Sequence, residues 1–203
     1  MAPPDGQVMS KSKPNPEFVK LRRKDRAVED EVWIADFLDI APFCVLATAV
    51  DNMPVANANT FVYNRDLRMV YLHTAKTGTL RKNIESNPNV CFVAFEMGRL
   101  LPAEVAKELS VEYRSVVAYG KAKIVEDEDE CRHALESLAR KYFSHMTAGK
   151  DYRTLTSQEA IQTTVYRIEI ERWSGKTKQE SSDFPGAFDY TPQRKVDASG
   201  HGD

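Results

Sequence analysis

Hydrophobic and polar residues alternate along several stretches of this 203-residue chain, at the period of two that is typical of β-strands. Tight polar turns at 51–52 and 64–66 separate the first three stretches, which predicts an antiparallel meander. The stretch over 113–125 is the longest, with small or apolar residues at alternate positions. Six strands are predicted in all, over residues 43–49, 55–63, 68–73, 90–96, 113–125 and 163–172.

Helical spacing occurs in fewer places. Acidic residues at 29–31 open a first helix, which Pro42 stops. A brief helix begins near Thr79, and five acids at 126–130 open an amphipathic helix. The segment 98–110 is predicted to be a loop with a short helix. Because most strands are joined by tight turns, the pattern favours the mainly β class, as a six-stranded antiparallel β-barrel with flanking helices.

The composition indicates one barrel domain between two tails. With 42% hydrophobic residues the chain can form one core of moderate size. Residues 1–28 predict a flexible basic arm, residues 29–178 the barrel domain, and residues 179–203 an irregular tail. A barrel of about six strands is narrow and filled by side chains. A ligand is therefore expected outside it, on a rim or at a subunit junction.

Charge and cysteine usage narrow the classes of partner. The formal net charge of -2 gives no basic field, so no nucleic-acid partner is expected. The basic arm is interpreted as a solvated tail, with a nucleic-acid or membrane role as the alternative. No apolar run reaches the roughly 18 residues of a membrane helix and no signal peptide is evident, so we expect a cytoplasmic protein. Cys44, Cys91 and Cys131 lie far apart, which predicts free thiols and no metal site.

The most informative stretch is residues 71–84, where a strand leads into a polar loop and then a helix. This order places backbone N–H groups at a helix N-terminus, where a phosphate binds well. Gly78 lets the backbone approach an anion, and Arg81 and Lys82 add positive charge. An ordinary helix cap without a ligand is the alternative. Hydroxyl donors come from Thr74, Thr77 and Thr79.

Other side chains could add contacts to a ligand at this loop. His73 could donate a proton or contact a planar ligand, or it could be a strand-end histidine bonded to a carbonyl. Asn57 and Asn59 share one strand face and could address the edge of a heterocycle, or pair across the sheet. Trp173, at the end of the last strand, could cover a ring or pack over the barrel mouth.

Several motifs in a shared order carry a family resemblance over about residues 32–178. They are Val45-Leu46-Ala47-Thr48, Tyr71-Leu72-His73-Thr74, Gly78-Thr79-Leu80-Arg81, Asn87-Pro88-Asn89-Val90, the segment 109–116 and Arg172-Trp173-Ser174-Gly175-Lys176. The chain resembles the pyridoxamine 5'-phosphate oxidase-related flavin-binding split barrels. Within that group it is most similar to the 5-nitroimidazole resistance (Nim) proteins.

The resemblance implies a homodimeric split β-barrel with two FMN sites at the dimer interface. His73 matches the residue tied to activity in Nim proteins, placed to supply a proton. Many relatives carry a phosphate-binding lysine where this chain has Leu80. The implied cofactor-binding residues are Asn57, Ala58, Asn59, Thr60, His73, Thr74, Thr77, Gly78, Thr79, Leu80, Arg81, Arg114, Trp173 and Lys176.

Three functional hypotheses follow from the residues and the resemblance. The first is an FMN-dependent oxidoreductase that reduces a small nitro or other electrophilic substrate. The second is a flavin- or haem-binding protein of the same fold without catalytic turnover. The third is a structural or regulatory dimer that uses the basic arm over residues 11–26.

Overall fold

The computed structural model describes residues 21–160 and 162–192. The first twenty residues of the predicted arm and the last eleven of the predicted tail lie outside the described residues. Eight strands are present in the described chain: β1 (Ala27–Val28), β2 (Cys44–Val50), β3 (Met53–Asn59), β4 (Val62–Asn64), β5 (Met69–Ala75), β6 (Asn89–Leu101), β7 (Ser110–Ile124) and β8 (Thr163–Lys178). The helices are α1 (Glu31–Ile40), α2 (Thr79–Ser86), α3 (Glu128–Tyr142) and α4 (Ser157–Ala160).

The strands form one antiparallel sheet in the order β3-β2-β6-β7-β8-β5-β4, with β1 paired to β8. The two edge strands, β3 and β4, follow each other in the chain and are joined only by Thr60 and Phe61. Two residues span at most about 10 Å, so the sheet must curl until its opposite edges nearly meet. The result is a split barrel, and the predicted mainly β fold class is confirmed.

The described chain has two strands more than predicted, because one predicted strand is divided and the short strand β1 is added. The predicted strand 55–63 breaks at Phe61, where the Tyr142 hydroxyl donates to the Phe61 carbonyl at 3.1 Å and accepts from its N–H at 3.0 Å. These bonds replace ladder bonds and let the chain pass from one edge of the sheet to the other. The two-residue strand β1 is too short to give a pattern in the sequence, and it adds residues from the predicted arm to the sheet.

The last strand is longer than predicted. It does not end at Arg172 but continues to Lys178, so Trp173 and Lys176 lie within β8 rather than after it. A bulge at Glu171 of β8, opposite Tyr119 and Gly120, shifts the register of β8 against β7 by one residue. Strand β6 also continues past its predicted end, to Leu101. A loop with a short helix was predicted over 98–110, and the structure has a single 3-10 turn there, Ala106–Glu108.

The core lies between the inward face of the curled sheet and two helices. Phe61 and Phe92 pack edge to face at 5.0 Å, and Tyr166 is fully buried beside them. Helix α1 closes one end of the barrel with Ile34, Phe37 and Leu38, and α2 covers another part with Leu80 and Ile84. Helix α3 packs instead on the outward face of β5 and β8, through Tyr71, Val165 and Ala134.

The helix starts agree with the acidic signals in the sequence. Asp30 accepts a hydrogen bond from the Val32 N–H at the start of α1, and Asp127 accepts one from the Glu130 N–H at the start of α3. The Asp51-Asn52 turn between β2 and β3 has positive φ at both residues, as a tight hairpin requires.

Across the described residues, no helix combines the length and apolar character needed to cross a membrane.

Candidate functional site

The N-terminus of α2 lies at the end of β5, after the loop Lys76–Gly78. The first bond of the helix runs from the Lys82 N–H to the Gly78 carbonyl at 3.3 Å, and no side chain caps the helix. The N–H groups of Thr79, Leu80 and Arg81 therefore have no partner within the helix. Gly78 has a φ of 154°, and a Cβ placed there would meet nothing within 4 Å. The space beside Gly78 at the helix start is therefore open.

The direction of α2 is fixed by its contacts with the barrel. Leu80 and Ile84 are buried in the core, and the Asn83 side chain donates to the Thr48 hydroxyl at 2.9 Å. The Asn87 side chain donates to the Ala49 carbonyl at 2.8 Å, at the far end of the helix. Because its side chain points into the core, Leu80 offers only its backbone N–H to a ligand at the helix start.

Arg81 is the cation held beside the helix start. Its Nε donates to the Glu85 carboxylate at 2.9 Å, and its Nη1 donates to the Thr164 hydroxyl at 3.3 Å. The Thr164 hydroxyl in turn donates to the Lys76 carbonyl at 3.3 Å. The guanidinium is therefore tied to both the loop and β8, while the neighbouring Lys82 is exposed.

His73 and Thr74 lie on opposite faces of β5, because successive residues of a strand alternate. Thr74 faces inward, with its hydroxyl oxygen 3.2 Å from that of Tyr166. His73 faces outward and is largely exposed at the strand end, opposite Val165 of β8. Partial desolvation lowers the pKa of the His73 imidazole below its ordinary value, so the ring is mainly neutral at pH 7.

The side-chain amides of Asn57 and Asn59 lie on β3, which pairs with β2, and β2 contacts α2. Thr48 links the two, since its hydroxyl accepts from Asn83 and donates to the Val55 carbonyl at 3.4 Å. The Asn59 side chain donates to the Asn57 carbonyl at 3.3 Å, within its own strand. The Asn57 Oδ1 atom is buried and has no hydrogen-bond partner among the described residues. Such an orphaned acceptor is unfavourable unless a ligand donates to it.

The remaining residues of β3 differ in exposure. Ala58 lies on the outward face and is exposed, and Thr60, just after the strand, is half-buried. Thr77 and Thr79 are both exposed in the loop and at the start of α2. These positions stay predicted contacts of a ligand.

Arg114, Trp173 and Lys176 lie elsewhere in the subunit. From Thr164 to Trp173 the strand β8 advances nine residues, which is about 30 Å of extended chain. One subunit therefore does not bring these three residues to the α2 N-terminus. A shared site would need them to come from a second subunit.

Two of these residues have structural partners in place. The Trp173 ring lies 6.1 Å from that of Tyr63, and the Arg68 guanidinium stacks 4.0 Å above it. This is the packing over the barrel mouth that the sequence left open as an alternative. Arg114 forms an ion pair with Glu96, at 2.6 Å from its Nε.

The three cysteines lie in different surroundings. Cys44 and Cys131 are buried and Cys91 is half-buried, and all three are free. Within residues 21–160 and 162–192, no three His, Cys, Asp or Glu side chains group closely enough to hold a metal ion.

The fold and the strand-loop-helix element define a split-barrel protein with a candidate anion site. Residues 30–177 match the family model described as pyridoxamine 5'-phosphate oxidase. The chain belongs to this family. No curated protein matches the sequence significantly.

Solved structures with the same fold include proteins that bind flavin or haem. The flavocytochrome Anf3 from Azotobacter vinelandii is 20% identical, covers 89% of this chain and 88% of its own, and gives a TM-score of 0.69. An FAD and haem binding protein from Mycobacterium smegmatis is 19% identical over 76% of this chain and 74% of its own, with a TM-score of 0.66. A candidate 5-nitroimidazole antibiotic resistance protein from Bacteroides thetaiotaomicron is 23% identical over 74% and 86%, with a TM-score of 0.61. At these identities the likeness concerns the fold.

Proposed function

We propose that this chain is a flavin-dependent oxidoreductase that binds FMN at the N-terminus of α2 and reduces small nitro or other electrophilic compounds. The observation that carries the proposal is the uncapped helix start at Gly78, with Arg81 held beside it. Backbone N–H groups and a fixed guanidinium are the donor set that a phosphate monoester requires. The exposed hydroxyls of Thr77 and Thr79 add donors at the same place.

The orphaned oxygen of Asn57 supports a ring site next to the phosphate site. A flavin ring carries an imide N–H, which can donate to a buried carboxamide oxygen. Asn57 is two residues along β3 from Val55, whose carbonyl accepts from Thr48, and Thr48 in turn accepts from Asn83 of α2. The residues present therefore fit both the phosphate and the ring edge of a flavin.

A homodimer would complete the site. The outward face of the sheet opposite α3 carries a continuous set of half-buried or exposed apolar residues, a composition typical of a subunit interface. Pairing through this face would bring Lys176, which lies opposite Ser115 on the outward face, toward the partner subunit, whereas Arg114 and Trp173 lie on the inward face. The outward apolar residues are Val45, Ala47, Ala56, Ala58, Val93, Phe95 and Val117.

Reduction of a nitro group to a nitroso group takes up two electrons and two protons and releases water. A bound flavin would supply the electrons. His73 is the titratable group at the strand end next to the loop, and it can carry a proton to the substrate oxygen. The low pKa of His73 means that this role strengthens as the pH falls.

The test is a titration of purified protein with FMN, FAD and riboflavin, in which flavin absorbance and fluorescence measure binding. We expect FMN to bind most tightly, and Arg81→Gln to weaken FMN binding about tenfold or more, since a charge-assisted bond contributes about 1.5–3 kcal/mol. Lys82→Gln is the matched control, because Lys82 is the adjacent exposed cation. A protein that binds none of the three flavins contradicts the proposal.

Turnover is tested separately with dithionite as the electron source and a nitroimidazole as the substrate. We expect His73→Gln to retain FMN and to lose most of the nitro reduction. Equal rates in both proteins would remove His73 from the mechanism.

A flavin- or haem-binding protein without turnover is the second candidate. It is favoured by two structural relatives, one described as a flavocytochrome and one as an FAD and haem binding protein. The exposed imidazole of His73, which a haem iron could take as a ligand, also favours it. An intense Soret band on haem addition, lost in His73→Gln and accompanied by no nitro reduction, would select this candidate over the first.

A further inference from the structure

Two buried hydroxyls of β8, those of Thr164 and Tyr166, lie directly beneath the candidate phosphate site. Thr164 is 3% exposed, and Tyr166 is completely buried and is the largest such side chain. Both face inward at the start of β8, opposite Thr74 and Leu72 of β5. Buried hydroxyls on an otherwise apolar face need a hydrogen-bonding reason to be there.

The Thr164 hydroxyl joins the two parts of the site. It accepts from Arg81 Nη1 at 3.3 Å and donates to the Lys76 carbonyl at 3.3 Å. Lys76 begins the loop, and Arg81 lies in the first turn of α2. A single oxygen atom therefore fixes both the loop backbone and the guanidinium.

The Tyr166 hydroxyl supports this arrangement from below. It lies 3.2 Å from the Thr74 hydroxyl, at the end of β5, and it stands two residues from Thr164 on the same face of β8. The Arg81 guanidinium is near enough to favour the ionised phenol, although burial keeps the pKa of Tyr166 above its ordinary value. Tyr166 therefore holds the Thr74 end of β5 beside the part of β8 where Thr164 contacts Arg81.

We propose that Thr164, supported by Tyr166, is the positioning residue that orients Arg81 and the 76–78 loop toward the phosphate of the ligand. This inference rests on the proposed flavin site and names what sets its phosphate affinity. Preorganisation of a charged donor reduces the ordering cost on binding, and the benefit applies only to the part of the ligand that the donor contacts.

The discriminating experiment compares FMN with riboflavin, which lacks the phosphate. Thr164→Val keeps the shape and removes the hydroxyl. We expect it to weaken FMN binding about tenfold, the equivalent of about 1.4 kcal/mol, and riboflavin binding less than about twofold. Thr164→Ser restores the hydroxyl and should restore FMN affinity. Equal losses for the two ligands, or no loss for FMN, would overturn the inference.

Thr163→Val is the matched control, because it makes the same chemical change one residue away on the opposite face of β8. It should leave the ratio of FMN to riboflavin affinity unchanged. Tyr166→Phe is the second variant and should reduce that ratio in the same direction as Thr164→Val. It also decides the question if Thr164→Val does not fold.

Hydrogen exchange of the ligand-free protein separates this inference from the proposed function. Amides of residues 76–82 should exchange faster in Thr164→Val than in the wild type and Thr164→Ser. Faster exchange in a protein that binds no flavin would refute the flavin site and leave the anchoring of the loop in place. Unchanged exchange would refute the anchoring itself.

Discussion

The Glu112 carboxylate accepts two hydrogen bonds from the Arg99 guanidinium, at 2.9 Å from Nε and 2.7 Å from Nη2. The same guanidinium donates to the carbonyls of Ser181 and Ser182, at 2.9 and 3.1 Å. Glu112 also accepts from the Glu180 N–H at 2.8 Å. This pair therefore fastens the segment after β8 to the β6–β7 hairpin.

The first prediction concerns the stability of the protein at acid pH. The Arg99 guanidinium lowers the pKa of Glu112 to about 2, from an ordinary value of 4.5. Because the pKa is lowered on folding, the stabilisation is complete above about pH 4.5 and is lost as the pH falls toward 2. We expect the stability difference between wild type and Glu112→Gln to shrink across this range, measured by urea unfolding. A difference that stays constant with pH would contradict the prediction.

The second prediction concerns the stability of the protein at alkaline pH. The Lys141 ammonium donates to the Leu38 carbonyl at 3.1 Å and lies 3.7 Å from the centre of the Phe61 ring. Burial lowers its pKa from 10.5 to about 8. Between these values the unfolded chain binds more protons than the folded one, so stability should rise with pH.

Chemical unfolding near neutral pH and at about pH 10 measures this effect. Relative to Lys141→Met, the wild type should gain about 2 kcal/mol over the interval. Lys121→Met is the control, because Lys121 is an exposed lysine of β7. Parallel pH profiles for wild type and Lys141→Met would show that the lysine titrates as it does in the unfolded chain.

The third prediction concerns the pH dependence of turnover. Because desolvation lowers the pKa of His73, the imidazolium is a minor species at pH 7 and grows as the pH falls. The His73-dependent part of nitro reduction should therefore increase toward acid pH and be absent from His73→Gln. Proton NMR of the imidazole gives the pKa independently, and a value above 6.5 would disprove the assignment of the shift.

The fourth prediction concerns Gly120 of β7, which lies opposite the bulge in β8. A Cβ at Gly120 would lie 2.0 Å from the Glu169 carbonyl oxygen and 2.9 Å from its carbon, both backbone atoms of β8. Because the backbone of a central strand cannot move aside, Gly120→Ala should destabilise the protein by about 3 kcal/mol. Ser115→Ala, on the same strand, should change stability by less than about 1 kcal/mol. Similar unfolding midpoints for the two variants would contradict this account of the bulge.

The sequence predicted the strands where alternation was undisturbed and failed where a local signal misled. Strand β8 was predicted to end at Arg172, because the alternating pattern dissolves around Trp173-Ser174-Gly175-Lys176. In the structure Gly175 lies inside β8. A Cβ at this position would lie only 3.0–3.2 Å from side-chain atoms of Val28, Ile34 and Trp33. The glycine serves close packing of α1 and β1 on the sheet. Nothing in the local sequence distinguishes this use from a turn.

The candidate site was predictable only in its local part. The order of β5, loop and α2 is contiguous in the sequence, so His73 to Arg81 could be grouped from the sequence alone. Thr164 could not, because its contact with Arg81 depends on the register of β5 against β8, across 83 residues of chain. The Arg99 contacts with residues 180–182 depend on long-range register in the same way.

The incomplete closure of the sheet also bears on solubility. A barrel that stays split exposes two rows of backbone hydrogen-bonding groups, along β3 and β4, to strands of other molecules. Strand β4 is only three residues long, and β3 contains Pro54, which has no N–H to offer. An incoming strand would therefore find too few consecutive partners at either edge, and the open seam is protected from edge-to-edge aggregation.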